Sequence, residues 1–216
     1  MLRLHSAWLF CAAFTLLGFG PGAAKAIAQT TYPFETTYNA EITTKPTSAP
    51  NVFEATARGK SADAPYGLTN LRIGNYAQLN PGTGVFTYSA DPAEFGLEGL
   101  PLDTTITLSG NGSDKLFGTN SGSSAVDFEN LVGTGSGTIT ITGGEGKFVG
   151  ATGTLDLLEN DTLSPDPTAP IEAQLTISGS FQAVPEPSLN TTVIGISAIG
   201  VGFLLHSRRN SRKRAV

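Results

Sequence analysis

Ile171-Glu172-Ala173-Gln174-Leu175-Thr176-Ile177-Ser178-Gly179-Ser180-Phe181 is the stretch that decides the fold. Its odd positions are apolar or small and its even positions are polar. Successive side chains of a pleated strand leave on opposite faces, so a period of two marks a strand with one buried face. The same alternation recurs toward the N-terminus. Phe34, Thr36, Tyr38, Ala40 and Ile42 alternate with Glu35, Thr37, Asn39, Glu41 and Thr43. Phe53, Ala55, Ala57 and Gly59 alternate with Glu54, Thr56, Arg58 and Lys60, and Ile139 and Ile141 with Thr138, Thr140 and Thr142. Weaker strands are expected at 76–79, 85–89, 104–109, 114–119, 125–130 and 153–158. The turn-rich clusters Asn80-Pro81-Gly82, Gly110-Asn111-Gly112 and Asn120-Ser121-Gly122 separate several of them. No amphipathic helical stripe interrupts the series. About nine short strands predict an all-β domain, an antiparallel β-barrel of about eight strands or else a β-sandwich. Strands with one apolar face need a shared interior, and closure into a barrel also removes exposed edges.

Two of these strands flank Gly143-Gly144-Glu145-Gly146-Lys147-Phe148-Val149-Gly150-Ala151-Thr152-Gly153. A phosphate-binding loop is excluded: the glycine spacing is wrong, no Gly-Lys-Ser/Thr follows, and no helix comes next. The reading is a tight turn with Gly143, Gly144, Gly146 and Gly150 as its structural residues, Gly144 or Gly146 at positive φ, and Phe148 packed over it. Gly84 is expected in a looser loop. The run Gly-Gly-x-Gly-x-Phe-x-Gly-Ala-x-Gly resembles the turn of dirigent and allene-oxide-cyclase-like β-barrels. The resemblance covers these 11 residues directly and about 50 with the adjoining strands. It implies an eight-stranded barrel and carries over no activity, since no active-site motif of those families is recognisable. The larger block resembles exported proteins of cyanobacterial type.

The two ends give an address. Arg3 and the apolar run Trp8–Phe19 read as a signal peptide over 1–28, with Ala24-Lys25-Ala26 and Ala26-Ile27-Ala28 as small-x-small cleavage sites. Cleavage is expected at Ala26 or Ala28, the latter leaving Gln29 first. Cys11 lacks the preceding small residues of a lipobox, so no lipoprotein is expected. At the other end come Val184-Pro185-Glu186-Pro187, an apolar segment, and then Arg208, Arg209, Arg212, Lys213 and Arg214. Leu189–Leu205 would make roughly 25 Å of helix at about 1.5 Å per residue, near the lower limit for a hydrocarbon core of about 30 Å. The basic tail would hold its end in the cytoplasm. Motif (184–188), helix (189–207) and tail (208–216) together resemble the PEP-CTERM sorting signal. Pro185, Glu186 and Pro187 match its motif. The resemblance implies signal peptidase and an exosortase-type protease as processing partners, membrane anchoring before processing, and delivery to the cell surface or extracellular matrix, with exopolysaccharide as a further partner.

The domain left between them, 29–183, has no His, Cys, Met or Trp; Met1, His5, Trp8, Cys11 and His206 all lie in the ends. No Ser-His-Asp triad, thiol nucleophile, disulfide, or imidazole or thiolate metal site can be built from it. The whole chain carries −5, but the domain has six basic and seventeen acidic residues, 6 − 17 = −11. Such a charge repels a phosphate backbone, so no nucleic-acid partner is expected.

Glu159-Asn160-Asp161 with Asp166 offers oxygen ligands for Ca²⁺, but no EF-hand or nonapeptide repeat accompanies them, and a solvated acidic loop is the simpler reading. Asp63-Ala64-Pro65-Tyr66-Gly67-Leu68 reads as a turn or a barrel mouth. No catalytic residue, metal or cofactor is assigned. Three functions fit: an exported structural or interaction protein, a small-ligand-binding barrel, and a cyclase- or isomerase-type enzyme. An open interior would favour the second over the first. The third requires inward carboxylates with shifted pKa, whereas the strand patterns put Asp and Glu mostly outside.

Overall fold

Nine strands lie among the described residues: β1 (Thr30–Pro46), β2 (Val52–Lys60), β3 (Asn70–Asn80), β4 (Val85–Ser89), β5 (Ile106–Ser109), β6 (Lys115–Asp127), β7 (Val132–Glu145), β8 (Thr152–Thr162) and β9 (Ile171–Ala183). The computed structural model describes residues 29–98, 106–166 and 168–184. The expected signal peptide with Ala26 and Ala28, the motif Pro185, Glu186 and Pro187, the helix 189–207 and the basic tail 208–216 lie outside them. Among the described residues no helix is long and apolar enough to cross a membrane.

The fold is all-β and every pairing is antiparallel. Tracing hydrogen-bonded neighbours from β1 through β2, β3, β4 with β5, β6, β7, β8 and β9 returns to β1. Each strand therefore has a partner on both sides. β4 and β5 share one lane end to end. β4 lies beside residues 76–80 of β3 and 121–125 of β6, and β5 beside 70–72 and 115–118. Between them the chain leaves the lane. There a short 3-10 turn, Pro92–Phe95, brings Phe95 and Leu97 onto Val52 and Tyr76 in a small second cluster.

Alternation sets the interior as the sequence predicts. The odd residues of the decisive stretch from Ala173 to Ile177, and Phe181, are buried, and so are Phe34, Thr36, Tyr38 and Ala40 of β1. One strand replaces the two expected at 114–119 and 125–130. Asn120-Ser121-Gly122, a turn by composition, lies in the middle of β6, because Gly122 pairs with Tyr88 on one side and Gly137 on the other. Two complete ladders outweigh the local turn preference.

The end of the sheet where β1 begins and β9 finishes is filled. Tyr32 stacks on Phe181 at 5.3 Å, and Phe148 meets Phe181 edge-on at 5.3 Å. Tyr38 Oη donates to the Leu68 carbonyl at 2.6 Å, and Tyr66 Oη to the Pro33 carbonyl at 2.7 Å. The segment 63–68 is thus a turn that closes this end, with Leu68 fully buried.

The glycine-rich turn is tighter than its sequence suggests. Gly143 and Gly144 belong to β7 rather than to the turn, which runs through the 3-10 residues Gly146–Phe148. Gly146 (φ 63°) and Gly150 (φ 67°) hold the left-handed conformation, and Phe148 is wholly buried. Asp114 locks the turn: it accepts from the Lys147 backbone N–H at 3.0 Å and pairs with Lys147 Nζ at 2.9 Å. A Cβ on Gly146 would run into Asp114 Oδ1. Gly84 is not in a looser loop. Its φ is 69°, and a Cβ there would meet the Val126 carbonyl at 3.0 Å. We therefore expect Gly146→Val to cost about 1–2 kcal/mol or more through left-handed strain, with Gly84→Val comparable. Gly143→Ala, with open space at its Cβ, should be close to neutral. Thermal melts check this; a Gly146→Val chain melting with the wild type would refute the tight turn.

Candidate functional site: a polar cavity at the open end

The opposite end, under the loops 47–51, 81–84, 128–131 and 163–170, is not filled. β7 explains why. Its inward positions read Gly133, Gly135, Gly137, Ile139 and Ile141, with both isoleucines buried at the packed end. The three glycines leave space that neighbouring side chains enter. A Cβ on Gly133 would meet Asp161 Oδ2 at 2.9 Å, one on Gly135 would meet Glu159 Oε2 at 2.7 Å, and one on Gly137 would meet Tyr88 Oη at 2.5 Å. Glu159 and Asp161 continue the inward parity of Leu155 and Leu157 along β8. Tyr88 comes from β4, and Asn120 and Ser124 from β6.

These side chains line a cavity of about 100 Å³, together with Ile73, Ala77, Leu157 and Leu175. Half-buried Phe53, Phe86, Val126 and Ile171 form its rim. The Phe53 and Phe86 rings lie 6.3 Å apart. The cavity is below the ~150 Å³ that holds benzene, and well above what one water requires.

Its polar wall is incompletely satisfied. Tyr88 Oη, Asn120 Oδ1 and Asp161 Oδ1 are buried without a hydrogen-bond partner. Each such atom costs about 1–3 kcal/mol in lost solvation. Burial is the largest cause that raises the Glu159 carboxyl, to about 8, followed by the Asp161 charge and a hydrogen bond to its carboxyl. Burial likewise raises Asp161, partly offset by that hydrogen bond. The Tyr88 hydroxyl is raised by burial and then by both carboxylates. No Lys or Arg is among the lining residues. Two neighbouring buried carboxyls with no cation among the lining residues resist joint ionisation, so the pair retains a proton to higher pH than an exposed carboxyl would. Chemically the pair can accept a hydrogen bond, donate one, and pass a proton to or from a bound molecule.

The acidic-loop reading of 159–161 is overturned, and these two carboxylates are the exception to a set that otherwise lies mostly outside. Glu159 and Asp161 are strand residues with inward side chains, set there by strict alternation. Asn160 between them is exposed, and Asp166 sits in an exposed turn accepting from the Thr168 N–H at 2.9 Å and its hydroxyl at 2.7 Å. The Ca²⁺ ligand set suggested by sequence does not assemble. Among the described residues no group of three or more His, Cys, Asp or Glu could hold a metal ion. The glycines Gly143, Gly144, Gly146 and Gly150 lie around the packed end, remote from this cavity. The sequence singles out Glu159 and Asp161 only as loop carboxylates, and nothing in it joins them to Tyr88 and Asn120. Parity carried two residues past Leu157 would have found the carboxyls, and the Gly-x-Gly-x-Gly row of β7 signals the space.

Against family models, curated proteins and solved structures, the chain has no match.

Because the native state binds these protons more tightly than the unfolded chain, raising pH from the ordinary glutamate value of 4.5 to about 8 should favour unfolding. Asp114, Asp127 and Asp166, held below the usual range by hydrogen bonds, finish titrating below that window. The melting temperature of the full chain should fall between pH 5 and pH 9, and Glu159→Gln should flatten the fall. A wild-type stability that rises over this interval would contradict the buried pair.

Proposed function

We propose that this chain is an exported protein whose all-β domain is a closed, eight-position antiparallel barrel that binds a small ligand inside one end. The observation that carries the reading is the cavity. It is roomy enough for a small molecule, open at its rim, and lined by buried polar atoms with no protein partner. An interior meant only for stability would be filled, because unsatisfied polar groups and voids both destabilise. The ring of pairings supports closure: eight lanes result when β4 and β5 are counted as one. The address rests on the sequence at the two ends, where residues 1–28 read as a signal peptide and 184–216 resemble a PEP-CTERM signal.

Ligand binding is tested by thermal melts of the full chain against a panel of small organic cations, neutrals and anions of up to about five heavy atoms, the size a cavity smaller than that for benzene admits with one atom at the rim. At least one should raise the melting temperature. Ala77→Leu, which adds a branched side chain to the cavity wall, should abolish the shift. A panel that leaves the wild type unmoved refutes the ligand-binding reading.

A structural role in the exopolysaccharide layer is a second reading, favoured by the outer surface. Arg58, Arg72, Lys60, Asn39, Asn70 and Gln174 line a polar groove of about 1000 Å³ across the outward strand faces. Both readings share the address. Intact-mass measurement of the protein recovered from its native envelope should show loss of residues 1–28 and of the basic tail. A mature species retaining Arg208–Val216 would remove the sorting signal from the proposal.

A further inference from the structure

Building on the ligand-binding reading, we propose that the cavity selects a small primary amine with a short apolar body, bound as its ammonium ion. The cavity wall holds more unpartnered acceptors than donors. Asn120 Oδ1 accepts only, Asp161 Oδ1 accepts when its carboxyl is ionised, and Tyr88 Oη has lone pairs as well as one O–H to offer; all three lack partners. The lining holds two carboxyls and no basic side chain. A ligand that completes this wall must therefore bring N–H or O–H donors and positive charge. A primary ammonium brings three donors on one centre and one charge. An alcohol brings one donor and no charge, and a carboxylate adds a further anion to an anionic wall.

The rest of the cavity suits the other half of such a molecule. Ile73, Leu157, Leu175 and Val126 are apolar, and the rings of Phe53 and Phe86 stand at the rim, where a passing cation meets aromatic faces. The volume of about 100 Å³ limits the enclosed part of the occupant to about four heavy atoms, set against a cavity of ~150 Å³ for the six of benzene. A longer amine would leave its tail at the rim.

Entry of the cation changes the proton balance. Buried side by side, the Glu159 and Asp161 carboxyls resist joint ionisation and favour retaining a proton. An ammonium ion supplies the countercharge, so the carboxyl proton leaves to solvent as the amine binds. No other group facing the pair can take it: Tyr88 from β4 stays protonated, β7 presents only glycines, and β6 offers Asn120 and Ser124.

The test uses three four-carbon probes with different heads: n-butylamine, 1-butanol and butyrate, each at millimolar concentration and pH 7. Calorimetry and thermal melts on the full chain should show butylamine binding at least tenfold more tightly than either other probe. Its apparent heat should vary with buffer ionisation enthalpy, which reports the released proton. Asp161→Asn should weaken butylamine tenfold or more while butanol is unchanged. Butanol or butyrate binding as well as the amine would overturn the amine assignment and leave the ligand-binding reading standing. Amine binding with no proton release would overturn it too, by placing the ammonium away from the carboxyl pair. If none of the three binds, the amine assignment falls, and the broader panel alone decides whether the cavity takes any ligand.

Discussion

The pairing of β1 with β9 is the constraint on which the rest depends. It runs unbroken from Thr30↔Ala183 to Ile42↔Ile171 and joins the first strand to the last. Without it both strands would be long edges with open backbone donors and acceptors. With it, every strand is flanked on both sides, and the inward residues of all lanes face one another. This ladder also sets the order of events in folding. Its contacts span most of the domain, so the entropy of closing the largest loop must be met before they form. The remaining hairpins, such as β6–β7 and β7–β8, are local and need not wait for it.

The interior that this closure creates is divided. At one end large side chains fill it: Phe34, Tyr38, Phe148, Phe181, Ile139 and Leu155 are all buried, with a capping turn held by Lys147 and Asp114. At the other end glycine on β7 takes the place of isoleucine, and polar groups from β4, β6 and β8 occupy the room. The division lies within single strands. Gly137 and Ile139 are adjacent inward positions of β7, and Leu157 and Glu159 are adjacent inward positions of β8. The packed half supplies stability, which lets the other half carry groups that weaken the fold.

Much of this was legible in the sequence, for a definite reason. Alternation reports which face of a strand is buried, and it fixed β1, β2 and β9 and their inward residues in advance. It was less informative where polar or small residues occupy the inner face. Gly133-Thr134-Gly135-Ser136-Gly137 has no apolar residue to mark its buried side, so the first half of β7 escaped notice. Glu159 and Asp161 broke the apolar pattern and looked like a loop. Asn120-Ser121-Gly122 carries turn composition in mid-strand. In each case the signal failed where the interior is polar, because hydrophobic periodicity is blind to a buried surface that is not hydrophobic. Gly84 shows a further limit, since its left-handed backbone follows from the β3–β4 connection and no local pattern separates it from a relaxed loop.

The antiparallel partnership of Thr30 with Ala183 has a geometric consequence. Both ends of the domain leave from the filled pole, next to the aromatic cluster of Tyr32, Phe148 and Phe181. The rim formed by Phe53, Phe86 and Ile171 lies at the antipode. A tether attached after Val184 therefore pulls on the pole that has no opening. Whatever holds the chain beyond Val184 thus leaves the rim, at the far end of the strands, unobstructed by its own attachment.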